Sequence, residues 1–167
     1  MKLGEILAEQ IDYTRAWTLK LIGDLRGDDW FFQPGPGLGH PLWLCGHLVC
    51  SQNFLVHVRC LVTAGVVDKS FSDHFSIGGP VKSTKEHSYP SVEAVLAMMA
   101  DVHKKTMAAV PQMSEALLAE PCMSGDGSPH PYYKDKKGAL AHCNRHEGFH
   151  AGQIATIRRL VGKSFLR

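Results

Sequence analysis

The sequence predicts an all-α protein, a four-helix bundle filling residues 1–167 as a single domain. Three observations predict it. Apolar residues recur at steps of three and four in four long segments, the period of a helix with one buried face. No segment alternates convincingly with the period of a strand, and no internal repeat is found. The segments are separated by stretches rich in Gly, Pro and Ser, where a helix cannot continue.

The first helix spans 2–26, with Leu3, Leu7, Ile11, Thr14, Thr18, Leu21 and Leu25 on one face and Gly27 as a stop. Gln33-Pro-Gly-Pro-Gly-Leu-Gly39 then forces a loop. A second helix runs from about Pro41, a proline suited to the first turn, to 64 or 65. A loop is expected at 66–90. Ser91 caps the third helix, whose core face carries Val92, Val95, Leu96, Met99, Val102, Thr106 and Val110. Pro111 and a short segment at 114–119 lead into a second loop at 120–137, with turns tight enough for a small hairpin. The last helix spans 137–161 and stops at Gly162. Arg158, Arg159 and Lys163 lie near its negative dipole end.

Composition narrows the function. Hydrophobic residues at 44% and charged residues at 20% are those of a folded chain, not a disordered one. A net charge of +2 and the lack of a basic run argue against nucleic acid as a partner. The most apolar stretch, 41–67, contains His47, Gln52, Asn53, His57 and Arg59, so it is a buried helix and no membrane span is expected. Glu5 and Glu9 interrupt what would be the apolar part of a secretory signal. Five cysteines without CxxC spacing fit reduced thiols, so a cytoplasmic protein is expected.

Ten histidines are the unusual feature. At 100° per residue, the stripe of Cys143, Ile154, Ile157 and Val161 covers roughly 260–320° of the last helix, with His150 at about 280° and His146 at about 240°. Both face inward. His142 falls at the edge of the stripe. In the second helix the narrowest stripe is Trp43, Cys50, Phe54, Val58 and Leu61, and His47 lies within it, with Gln52 and Arg59 opposite. Each neutral imidazole in an apolar interior must satisfy a donor and an acceptor, at about 1–3 kcal/mol per unmet group. One divalent ion satisfies three acceptor nitrogens at once, and the i, i+4 spacing of His146 and His150 suits a shared ion. His47, His146 and His150 are therefore the expected metal ligands, against the alternative of a hydrogen-bonded polar core.

His146-Glu147-Gly148-Phe149-His150 is literally H-E-x-x-H, the zinc-protease pattern in which the Glu is the general base. The 17 residues after His150 contain no His, Asp, Glu or Cys to complete such a site. The metzincin extension would need His at position 156, which is Thr156. Peptide deformylase shares the motif, but its other motifs and its strand-rich fold do not fit. A protease is not expected.

Trp43-Leu-Cys-Gly-His47-Leu, then His146-Glu-Gly-Phe-His150-Ala-Gly-Gln-Ile and Arg158-Arg-Leu-Val-Gly162, resemble the DinB/YfiT-like superfamily along the whole chain. The resemblance implies a four-helix bundle holding a divalent metal, often zinc or nickel, on three histidines that correspond to His47, His146 and His150. Its better-understood members use a low-molecular-weight thiol: transferases that join bacillithiol or mycothiol to an electrophile, and a mycothiol-dependent isomerase. Homodimers are common among them. A metal-dependent thiol S-transferase or hydrolase acting on a small molecule is thus expected. The alternative is a non-catalytic metal-binding or stress-associated protein.

Glu147 could orient a ligand or act as a base, and Gln153 could donate to a bound ligand. Cys50 and Cys143 lie three residues from His47 and His146, where they serve as small core residues or as further ligands. His40 and His130 could rim a pocket. Leu48, Val49, Leu55 and Val56 make the second helix apolar beyond one stripe, so a second surface covers it, within the chain or in a homodimer.

Overall fold

In the computed structural model, which describes residues 1–124 and 126–166, four long helices form the bundle. They are α1 (Leu3–Ile22), α2 (Pro41–Gln52, prolonged by a π-helical stretch Asn53–Cys60), α4 (Val92–Ala109) and α6 (Lys136–Leu160). Two short helices, α3 (Lys69–Ser72) and α5 (Glu115–Ala119), lie in the connections. No strand forms among the described residues. The 120–137 segment carries only isolated bridges, Pro121 to Asp135 and Met123 to Pro129.

Local chemistry sets most ends. Ser91 accepts from the Ala94 N–H, Ser114 from Leu117 and Asp135 from Gly138, each satisfying an orphan first-turn donor. Two boundaries differ from expectation for tertiary reasons. The α1 helix ends at Ile22 and not near 26, because Arg158 of α6 takes the Leu21 carbonyl and chelates Asp24. Gly27 then takes φ +49° and opens a 3-10 turn, Gly27–Phe31. The second helix loses its α-register after Gln52 and widens, with Leu61 N–H reaching the Val56 carbonyl and Thr63 N–H the His57 carbonyl. The expected loop at 66–90 contains α3 and a 3-10 turn that drives Phe75 into the core.

Two apolar clusters make the interior. One gathers Leu21, Leu25, Leu44, Leu48, Val95, Met99, Ile154 and Ile157; the other gathers Leu7, Ile11, Leu55, Val56, Val110, Leu118 and Leu140. Between them each long helix contributes polar groups: Arg15 from α1, Gln52 from α2, His103 and Thr106 from α4, Glu147 from α6. Leu48, Val49, Leu55 and Val56 are all buried within this one chain.

The narrow stripe expected for the second helix does not hold. Its deepest face is Leu44, Cys45, Leu48, Val49 and Gln52, whereas Phe54 is 44% exposed and Val58 and Leu61 are half-buried. Gln52, expected opposite the core, is buried because Arg15 supplies a partner for its amide oxygen. At the end of α6, Val161 is only half-buried and Arg158 takes the inward position. Among the described residues no helix is long and apolar enough to cross a membrane.

Candidate metal centre

His47 projects from α2, and His146 and His150 from successive turns of α6. The Nε2 atoms of His47 and His146 are 3.1 Å apart, as are those of His146 and His150. One nitrogen from each ring lies within 4.8 Å of the other two. His47 and His150 are buried, and His146 is partly open to solvent.

Neighbours fix the rings. Gln153 Oε1 lies 2.6 Å from His150 Nδ1 and can only accept, so the proton sits on Nδ1 and Nε2 is a bare acceptor. Trp43 stacks on His47, with centroids 4.9 Å apart and planes 5° from parallel. Phe75 approaches the same turn so closely that a Cβ on Gly46 would lie 2.2 Å from its ring, so only glycine fits before His47. Burial, then the neighbouring His150, holds His47 down at about 4, and burial with the other histidines holds His146 down at about 3. Burial also lowers His150, against the Gln153 hydrogen bond. All three are neutral acceptors at pH 7.

The donor set fits a divalent ion. A proton on His146 Nε2 could point to only one neighbour, leaving a bare lone pair facing another. An ion resolves both contacts. His47, His146 and His150 would hold such an ion, each through a ring nitrogen. Three neutral ligands leave positions for a further donor.

Glu147 is held by Arg15 and is not free as the base of a zinc-protease motif would be. It is buried, and Arg15 binds both carboxylate oxygens, Nε to Oε1 at 2.6 Å and an Nη to Oε2 at 3.0 Å. Arg15 also donates to Gln52 Oε1 at 2.9 Å and to the Met99 carbonyl at 3.2 Å. Gln52 continues to His103, and His103 to Asp12 at 2.9 Å. The carboxylate thus anchors α6 across the bundle, beside the ligands but turned toward Arg15.

Cys50 and Cys143 fall outside the three-histidine cluster, and burial pushes both thiols up to about 12. His142 also lies outside it, its ring 5.6 Å from that of His146. His40 is fully buried, not a loop residue at a rim: its Nδ1 accepts from Trp43 N–H and caps α2. His130 is half-buried and accepts from Tyr132 and Tyr133 within its own loop.

Arg15 and Phe75 are missing from the sequence expectation. Arg15 had a signal, since it lies four residues after Ile11 and three before Thr18, on the buried face of α1. Phe75 had none, because its loop brings it to α2 only in the fold.

Comparison with known proteins agrees with this architecture. A conserved protein from Enterococcus faecalis superposes with a TM-score of 0.77 at 15% identity, covering 98% of this chain and 99% of that one. YfiT from Bacillus subtilis, reported as a probable metal-dependent hydrolase with an unusual four-helix bundle topology, superposes with a TM-score of 0.68 at 12% identity. That match covers 96% of this chain and 89% of YfiT. No curated protein matches the sequence. The family model of the DinB superfamily matches residues 10–154, and the chain belongs to that superfamily.

Proposed function

We propose that this protein is a divalent-metal-dependent enzyme that activates a small nucleophile at His47, His146 and His150, with hydrolysis of a small molecule as the first reading. The observation that carries it is the convergence of three neutral Nε2 acceptors with no protein anion among them. The likeness in fold to YfiT supports the same direction. Zinc and nickel both suit three imidazoles.

A bound divalent ion supplies Lewis acidity, lowering the pKa of a coordinated water or thiol by several units. The chain supplies the remainder. Gln153 keeps His150 in the tautomer that presents Nε2, and Trp43 with Phe75 fixes His47. The cavity beside His47 has a volume of about 480 Å3; Cys50, Phe54, Val67, Phe75 and Ile77 form its apolar walls. Asp73 is its one charged lining residue, so it favours an uncharged, apolar part of a substrate. Burial pushes the Cys50 thiol up to about 12, which makes it a poor nucleophile.

The second reading is S-transfer from a low-molecular-weight thiol. The raised Cys50 thiol supports it, because it favours a nucleophile that comes from outside. The experiment compares zinc- and nickel-loaded protein on neutral apolar esters and on thiol-reactive electrophiles, with and without added thiol. Turnover lost in His47→Ala supports the proposal, and its dependence on thiol selects the reaction. No turnover above that of His47→Ala across both panels contradicts it.

A further inference from the structure

A groove between α1 and α4, lined by none of the three histidines, has a volume of about 530 Å3, within the roughly 300–1,000 Å3 of small-molecule pockets. Its walls are apolar: Leu19, Ile22, Leu25, Trp30, Leu96 and Met99. Leu19 is 47% exposed at its edge, an apolar side chain without cover.

The charged lining is of one sign. Arg15, Arg26 and Lys104 face the groove together with His103, and no carboxylate does among the described residues. Two of these groups are already engaged: Arg15 with Glu147, and His103 with Asp12 and Gln52. The other two are not held by carboxylates. The Arg26 guanidinium donates to the Gly23 and Leu25 carbonyls at 2.9 and 2.6 Å, while nearby Asp29 takes the Arg26 main-chain N–H and Lys163. Lys104 is exposed and has no ion pair among the described residues, unlike Lys105, which binds Asp101.

We propose that this groove is a second ligand site, independent of the metal centre, for an amphiphilic monoanion: an apolar chain or ring system that ends in a carboxylate. The apolar part lies along Leu19, Val92 and Leu96, over a floor that the buried Ile22, Trp30 and Met99 form, and the carboxylate meets Arg26 and Lys104 at the rim. An apolar trough whose buried Arg15 is already neutralised by Glu147, and whose other two lysine and arginine cations, Arg26 and Lys104, are exposed, complements a ligand of that polarity. A neutral hydrocarbon would leave the cations unused, and a multiply charged anion would leave the trough unused.

Titration of the full-length protein with decanoate, beside decan-1-ol, tests this by calorimetry and by NMR of the Met99 methyl group. Decanoate binds with one-to-one stoichiometry and shifts the Met99 methyl. Arg26→Gln with Lys104→Gln weakens decanoate by roughly three- to tenfold and leaves decan-1-ol unchanged. Ala100→Trp, placed on the exposed lip, blocks both. His47→Ala/His150→Ala retains decanoate binding, so failure of the metal reading leaves this result intact. The proposal is overturned if decanoate does not saturate, if decan-1-ol binds as tightly, or if the shifts fall at Phe54 and Ile77. Met99 shifts that follow protein concentration without ligand would overturn it too, because a second copy would then occupy the groove.

Discussion

Replacing Glu147 by Gln separates two roles for the H-E-x-x-H glutamate. The carboxylate and Arg15 are both buried, and the pair forms two hydrogen bonds at 2.6 and 3.0 Å. Glu147→Gln keeps the shape but leaves the Arg15 charge buried without a counter-ion, a change that costs about 3–5 kcal/mol. At about 2–4 °C per kcal/mol for a chain of this size, the melting temperature falls by about 6–20 °C. Removing both charges with Arg15→Met/Glu147→Leu restores most of that loss, because no buried charge is then orphaned. Thermal unfolding followed by circular dichroism on Glu147→Gln, and on Arg15→Met, Glu147→Leu and their double variant, measures the loss and the coupling. If Glu147→Gln melted like the parent while abolishing turnover, Glu147 would be a base, and its assignment as the anchor of α6 would be refuted.

Three further outcomes are expected. Gly46→Ala overlaps the Phe75 ring and destabilises the fold by about 1–3 kcal/mol; because Phe75 and His47 then shift, zinc affinity falls as well, measured by competition with a chromophoric chelator. His40, held down at about 4 by burial against its ordinary 6.5, makes metal-free protein lose stability as pH falls. The unfolded chain takes up this proton from pH 6.5 downward and the folded chain only near 4, so the loss accrues between those values and reaches about 3 kcal/mol at most. His40→Asn keeps a cap for α2 and flattens the slope in urea melts taken from pH 7 to 4; an unchanged slope would exclude His40 as its source. Gln153→Leu removes the partner of His150 Nδ1 and weakens metal affinity by about 10–100-fold with little change in melting temperature.

Helix periodicity carried much of the architecture. The third helix is the clearest case: Ser91 caps it and Val95, Met99, Val102, Thr106 and Val110 are buried as expected. The convergence of His47, His146 and His150 was also legible: the last helix places two of them on its apolar side, and His47 turns inward although the stripe assumed for its helix does not hold. The α1 terminus was not legible, since it depends on Arg158, which lies 134 residues from Asp24. Nor was the π-helical stretch, where an assumed 100° step stops describing which side chains face inward. Glu147 shows the limit of a local motif: H-E-x-x-H drew attention to it, while its partner Arg15 lies 132 residues away.

The central claim is a divalent ion on three histidines. Its most direct test is metal content by plasma mass spectrometry on untagged protein reconstituted with zinc or nickel, beside His47→Ala/His150→Ala with its helical content verified. The predicted result is about one ion per chain in the parent and none in the variant, as a shared three-imidazole site requires. Equal metal in both proteins, or none in the parent after reconstitution, would contradict it.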